Sequence, residues 1–208
     1  MTAAETSFEH LVDPADTRFE ALLALYRTAI PLRERKPDAE IRGMAASSVN
    51  RVLVATADDV VTGFSTLYVG ERVALLEYLA TDPDVRGRGL GAALFTEARA
   101  TSGLPLLVEV DTDRVDCPDR ALRSRRIRFY RRLGCRRLEP IDYISPLPGE
   151  GPAPRLDLLV AGIAGVSVPA AEVADWLREI YSAVYGCGDG DPRLVAMIAA
   201  LPDHVPLD

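Results

Sequence analysis

The run Arg86-Gly87-Arg88-Gly89-Leu90-Gly91 sets two guanidinium groups among three glycines within six residues, a composition suited to holding a phosphate. Glycines let the main chain approach an anion with no side chain in the way. Successive N–H groups, together with the positive end of a helix beginning near Gly89, make an anion site that needs no metal. Two rival loops compete for the same residues. Gly87-x-Gly89-x-x-Ala92 also fits the dinucleotide fingerprint, with Glu109 and Asp111 following at about 20 residues' distance. That fold puts its first glycine directly at a strand end, whereas here Asp82-Pro83-Asp84-Val85-Arg86 intervenes and too little chain follows for the second half of such a sheet. A Walker-type loop is excluded because no Gly-Lys-Ser/Thr follows. Two carboxylates then stand out. Glu77 interrupts the apolar run Val73-Ala74-Leu75-Leu76-Glu77-Tyr78-Leu79-Ala80, and Glu109 interrupts Leu106-Leu107-Val108-Glu109-Val110 in the same way. Each is a candidate proton acceptor, and a sheet-surface carboxylate or an ion pair with an arginine is the alternative.

The surrounding pattern supplies elements to position them. Ser7 to Val12 reads as a strand, and Phe19, Leu22, Leu23, Tyr26 and Ile30 recur at helical spacing up to Pro31. The charged run Arg33-Glu34-Arg35-Lys36 leads to a short helix around Asp38 to Ala46. Strands are expected over Arg51 to Ala57, Val60 to Val69 and Val73 to Thr81, joined by tight turns at Asp58-Asp59 and Gly70-Glu71. After the glycine loop, a helix over Ala92 to Ala100 and a strand over Leu104 to Val110 complete a β-α-β unit, so the flanking strands are expected to lie parallel. A helix over Ala121 to Leu133 ends at Gly134, followed by a strand from Arg136 to Ile144. A loop with Pro146, Pro148, Gly149, Gly151, Pro152 and Pro154 precedes a last strand, Leu156 to Ile163. Two terminal helices follow, one from Pro169 burying Val173, Leu177, Ile180 and Val184, the other after Asp191-Pro192 carrying Leu194, Ile198 and Leu201.

A chain of 208 residues with 48% hydrophobic and 26% charged residues is that of an ordinary globular domain with a substantial core. Its formal charge of -7 argues against a general nucleic-acid partner. Cys117, Cys135 and Cys187 lie far apart with no C-x-x-C spacing, which indicates neither a zinc site nor a disulfide framework and suits reduced thiols. Met1 to His10 lacks the basic and apolar regions of a secretory signal, and the most apolar stretch, Leu158 to Val166, is about half of the roughly 20 residues a bilayer requires. A cytoplasmic protein without a membrane partner is expected.

The segment Leu79-Ala80-Thr81-Asp82-Pro83-Asp84-Val85-Arg86-Gly87-Arg88-Gly89-Leu90-Gly91 resembles the coenzyme-binding motif of the GNAT superfamily of N-acyltransferases. Phe129-Tyr130-Arg131-Arg132-Leu133-Gly134-Cys135 resembles that superfamily's later aromatic-Tyr-x-x-Leu-Gly-Phe helix end. One departure is that Arg123 and Arg126 stand where the superfamily often has Asn and Ala. The resemblance implies an α/β (α+β) fold with a mixed, mostly antiparallel seven-stranded sheet, a central parallel strand pair and flanking helices. That domain would occupy residues 1–165, with a two-helix extension over 166–208 packed on it. It further implies an N-acyltransferase, moving acetyl or another short acyl group from acyl-CoA to a small-molecule primary amine by direct attack in a ternary complex.

On that resemblance, Arg86, Gly87, Arg88, Gly89, Leu90, Gly91 and Ala92 hold the coenzyme pyrophosphate. Backbone groups of Leu79, Ala80 and Thr81 bind the pantetheine and the thioester oxygen. An alkyl amine is almost wholly protonated at neutral pH, so a general base is needed, and Glu77 or Glu109 is expected to serve. Tyr130 would protonate the departing thiolate, with a core aromatic as the alternative. Arg120, Arg123, Arg125, Arg126, Arg128, Arg131, Arg132, Arg136 and Arg137 either pair with acidic neighbours or bind the coenzyme 3′-phosphate or an anionic acceptor. Arg33, Glu34 and Arg35 would help select the acceptor or form a solvated loop. Trp176, Tyr181 and Tyr185 offer core packing, a cover over the acceptor cleft or a homodimer surface. A non-catalytic acyl-CoA sensor is the alternative function.

Overall fold

The computed structural model describes residues 6–146 and 155–208, so most of the proline-rich loop lies outside the described residues. Two compact units emerge from the chain. The first comprises residues up to Val69 together with Leu76–Gly103; the second comprises Gly70–Leu75 and everything from Leu104 onward.

In the first unit, β1 (Thr6–Leu11), β2 (Asn50–Ala57), β3 (Val60–Val69) and β4 (Ala74–Thr81) follow one another in the sheet. β1 pairs antiparallel with β2, from Thr6 opposite Ala57 to Leu11 opposite Val52. β2 pairs antiparallel with β3 through a turn in which Asp58 and Asp59 both take positive φ, 49° and 61°. Those angles match the two-residue turns that suit strand twist. Alternation along β2 explains its continuous burial. Val52 and Val54 face a core built by α1 (Arg18–Ala29) and α2 (Asp38–Gly43) with Phe19, Leu22, Leu23, Tyr26 and Ile41, while Leu53 and Ala55 pack with Leu94 of α3 (Leu90–Ser102). Gly63 lets α3 come close, because a Cβ there would lie 2.9 Å from Leu94 Cδ1 and 3.1 Å from the Ala80 carbonyl.

In the second unit, the opening residues of β4 begin the parallel β4–β5 pair, with the Ala74 N–H donating to the Pro105 carbonyl at 2.9 Å. β5 (Leu106–Asp111) pairs antiparallel with β8 (Arg155–Ala161), and β6 (Arg136–Arg137) and β7 (Tyr143–Ile144) both pair antiparallel with β8. The sheet is thus mixed, mostly antiparallel and flanked by helices, with eight strands among the described residues where seven were expected. The single strand read over Arg136 to Ile144 is broken because Pro140 has no N–H for a ladder. α4 (Arg120–Arg132) ends with Gly134 at φ 86°, the left-handed position expected there.

α5 (Ala170–Ala183) and α6 (Pro192–Ala199) form the terminal helices. They bury Val173, Trp176, Leu177, Ile180, Tyr181, Leu194 and Met197; Val184 and Ile198 are only half-buried. Two three-residue strands absent from the sequence reading, β9 (Ser167–Pro169) and β10 (His204–Pro206), pair antiparallel with each other. Beyond β10, Asp208 exchanges two backbone hydrogen bonds with Arg137 at 2.9 and 3.0 Å. Among the described residues, no helix is long and apolar enough to cross a membrane.

Arg137 also anchors a buried ion pair, its Nη2 lying 2.8 Å from Asp157 Oδ2, with side chains 10% and 6% exposed. Removing one partner of such a pair strands a charge, so Arg137→Met is expected to cost about 3 kcal/mol of stability in urea unfolding at pH 7. A loss below about 1 kcal/mol would show that Asp157 finds another cation.

Candidate active site

The glycine loop belongs wholly to the first unit. Asp82 starts it by accepting the Asp84 N–H at 2.8 Å, which fixes a short 3-10 turn over Pro83–Val85. Gly87 and Gly89 then take φ of 81° and 86°, angles an L side chain rarely adopts. Gly89 is the N-cap of α3, and the first helical bond runs from the Ala93 N–H to its carbonyl at 3.0 Å. The N–H groups of Leu90, Gly91 and Ala92 therefore have no intrahelical acceptor, and no side chain caps them. Residues 86–89 are exposed and residues 90–92 half-buried, so the turn is open to solvent. With Arg86 and Arg88 alongside, this stretch combines helix-end dipole, amide hydrogens and positive charge.

Just upstream on β4, the Glu77 side chain is only 4% exposed. Lys36 Nζ lies 2.5 Å from its Oε2, and Asn50 Nδ2 lies 3.4 Å from its Oε1. Burial raises the Glu77 carboxyl above the usual carboxylate range, and the adjacent Lys36 ammonium only partly opposes that. For Lys36 itself, burial works against the charge, but Glu77 and Glu40 outweigh it and hold the ammonium protonated above its ordinary range. The segment carrying Lys36 is fixed by two tyrosines. Tyr26 Oη accepts the Lys36 N–H at 2.7 Å, and Tyr78 Oη donates to the Glu34 carbonyl at 2.8 Å. Their rings meet edge to face at 5.0 Å. Of the neighbouring residues read as acceptor-selecting, Arg33 pairs with Glu34 at 3.3 Å and Arg35 donates to the Ile30 carbonyl at 2.5 Å.

The second unit contains Glu109 and Tyr130. Glu109, on β5, is half-buried; Tyr143 Oη donates to its Oε1 at 2.5 Å and Tyr185 Oη to its Oε2 at 2.7 Å. Tyr130, on α4, is 8% exposed and stands edge-on to Phe129 at 5.0 Å. Burial pushes its phenol up to about 12, with the Arg126 charge opposing. A phenol that keeps its proton at neutral pH is available as a donor. Arg126 and Arg123 both reach Asp111, at 3.3 and 3.9 Å, and Arg123 pairs with Asp119 at 3.0 Å. Arg125, Arg128 and Arg132 are exposed. Trp176 and Tyr181 are buried.

Residues 48–136 match the family model of the acetyltransferase (GNAT) domain. Over that stretch the chain is similar to a GNAT acetyltransferase domain. Solved structures agree on the fold. A protein assigned to the GNAT family of acetyltransferases, from Bacteroides thetaiotaomicron, is 23% identical with a TM-score of 0.71, covering 86% of this chain and 98% of its own. Arabidopsis thaliana NAA60 in complex with acetyl-CoA is 19% identical with a TM-score of 0.57, over 77% of this chain and 100% of that one. The ribosomal-protein-S18-alanine N-acetyltransferase from Escherichia coli is 19% identical with a TM-score of 0.54, over 77% and 97%. A comparison with curated proteins finds no match.

The matched segment takes in Glu77, the whole glycine loop, Glu109 and Tyr130. Sequence reasoning missed Lys36, Asn50, Tyr26 and Tyr78 around Glu77, and Tyr143 beside Glu109; it named Tyr185 only for core packing, a cleft cover or a dimer surface. Lys36 carried a faint signal as the last charge of the run Arg33-Glu34-Arg35-Lys36. The tyrosine hydroxyls carried none, since nothing in spacing distinguishes them from core aromatics.

Proposed function

We propose that this chain transfers an acetyl group from acetyl-CoA to the nitrogen of a small-molecule primary amine, by direct attack within a ternary complex. The observation that carries the reading is the open turn at Gly87 and Gly89, with left-handed glycines leading into the free amide end of α3, inside the stretch that matches the GNAT family model. Amide hydrogens of residues 87–92, with Arg86 and Arg88, would hold the pyrophosphate. Backbone groups of Leu79, Ala80 and Thr81 would receive the pantetheine and the thioester oxygen. The reading is supported by the acetyl-CoA bound to the Arabidopsis relative and by the coenzyme A bound to the paia N-acetyltransferase from Thermoplasma acidophilum, 16% identical with a TM-score of 0.52 over 76% of this chain and 99% of that one.

In the reaction the acceptor ammonium loses a proton to a carboxylate, Glu77 or Glu109. The nitrogen lone pair then attacks the thioester carbon, forming the C–N bond. Collapse breaks the C–S bond, the Tyr130 hydroxyl gives its proton to the leaving sulfur, and the second proton shed by the new amide nitrogen restores the phenol through solvent. No covalent enzyme intermediate is needed, so none of the cysteines takes part. Calorimetry of acetyl-CoA binding and turnover across an amine panel test the reading. Tyr130→Phe is expected to lower kcat by about tenfold to a hundredfold with the acetyl-CoA Kd unchanged. Binding without turnover on any amine would identify a sensor, and no binding at millimolar acetyl-CoA would end the proposal.

A further inference from the structure

Lys36 is the one lysine among 24 Lys and Arg side chains, and it stands on the buried carboxylate of Glu77. Its Nζ lies 2.5 Å from Glu77 Oε2 and 3.3 Å from Glu40 Oε1, while Asn50 Nδ2 occupies the other Glu77 oxygen at 3.4 Å. Those four residues, and Leu79, Ala80 and Thr81 further along β4, all belong to the first unit. The choice of lysine bears on chemistry. A guanidinium keeps its proton in any protein environment, whereas an ammonium can give one up and become a nucleophile. A cation needed only to balance Glu77 could have been an arginine, as it is in the buried Arg137–Asp157 pair. The position matters equally. An amine that is to lose its proton to Glu77 must bring its nitrogen within hydrogen-bond reach of that carboxylate, and Lys36 Nζ is already there.

We propose that Lys36 is itself an acyl acceptor, so that the chain transfers an acetyl group from acetyl-CoA to its own Lys36 ε-amine. This self-acetylation rests on the acetyl-transfer reading, with Glu77 as the base. Glu77 Oε2 takes one proton from the Lys36 ammonium, and the Nζ lone pair attacks the thioester carbon to form the C–N bond. Collapse breaks the C–S bond, the second nitrogen proton ends on the coenzyme thiolate, and Glu77 returns its proton to solvent. The products are coenzyme A thiol and a neutral amide at Lys36. That amide no longer balances Glu77, so the modification also alters the site that made it.

The test is incubation of the full chain with saturating acetyl-CoA and no amine, followed by intact mass and by fragmentation of the tryptic peptide Lys36 to Arg42. One acetyl group is expected on Lys36, at a rate unchanged over about a tenfold range of protein concentration, because nucleophile and base share one chain. The rate should be flat from about pH 7 to about pH 9, since the proton passes within the Lys36–Glu77 pair, whereas a solvated lysine reacts about tenfold faster per pH unit there. In Glu77→Gln the rate at pH 7 should fall at least about thirtyfold and the profile should take on that slope. In the urea-unfolded chain Lys36 should react at least about a hundredfold more slowly. Lys36→Arg, which keeps the charge, should gain no acetyl group at that position. No gain on Lys36 in a chain that binds acetyl-CoA, equal rates folded and unfolded, or a rate that climbs with protein concentration would each overturn the proposal. Acetylation of an added amine by the same sample would then leave the transfer reading standing, whereas absence of acetyl-CoA binding would end both.

Discussion

Glu77→Gln is expected to lower kcat about a hundredfold at neutral pH while the acetyl-CoA Kd stays within about twofold, because a general base acts on the amine and not on the coenzyme. The pH profile makes the assignment sharper. A base works only when deprotonated, so wild-type kcat should rise with pH along an acidic limb. Burial raises the Glu77 carboxyl, so that limb should lie above the ordinary carboxylate range, and it should vanish in Glu77→Gln. Lys36→Met removes the neighbouring cation that opposes burial, and the limb should then move to still higher pH. Stability should follow the same group. In Lys36→Met the folded carboxyl binds its proton more tightly than the unfolded one, so the folded state is favoured at low pH and loses that advantage as pH rises through the folded pKa. Urea unfolding should therefore show Lys36→Met about 3 kcal/mol less stable than wild type at pH 8, with the deficit shrinking toward pH 5. An acidic limb that survives unchanged in Glu77→Gln would place the base elsewhere.

The parts of this site that can be read from sequence are those encoded locally. Gly87 and Gly89 announce their backbone angles by residue type, and the helix that follows announces its start by the return of apolar periodicity at Leu94, Phe95 and Ala98. Glu77 and Glu109 stand out because a charge inside an apolar strand has to be accounted for. What surrounds them is not local. Lys36 reaches Glu77 across 41 positions of sequence, and Tyr143 and Tyr185 reach Glu109 across 34 and 76. Such contacts are decided by the packing of whole elements, and a single sequence carries no period that reports them. The same limit applies to β9 and β10, whose three residues each are too few for an alternation to register, whereas the break between β6 and β7 carries a local mark in Pro140. The two carboxylates, found by the same sequence signal, thus end with different neighbours. Glu77 meets the Lys36 ammonium and Glu109 accepts from two tyrosine hydroxyls, and tertiary packing alone makes that distinction.

Gly89→Val is expected to raise the acetyl-CoA Kd at least about thirtyfold, roughly 2 kcal/mol, with a smaller effect on kcat at saturating coenzyme. Gly89 holds φ at 86°, and a β-branched residue there is a backbone outlier. A Cβ at Gly89 would meet nothing within 4 Å, so the penalty is conformational and does not come from crowding. The variant relieves it by moving to negative φ, which turns the first amides of α3 away from the direction they share in the wild type. Gly43 supplies the control. It lies in α2 at φ −59° with equally open space around its Cβ position, and Gly43→Ala should leave acetyl-CoA binding untouched while holding or slightly raising the Tm. The exposed arginines add a term that salt separates from the amides. Arg88→Ala should weaken binding several-fold at low ionic strength and much less at high salt, whereas the Gly89→Val loss should persist at both, because main-chain hydrogen bonds to a bound diphosphate are not screened as a solvated charge is. Wild-type affinity in Gly89→Val would mean that the turn is not where the pyrophosphate sits, and the coenzyme would have to be sought on another element.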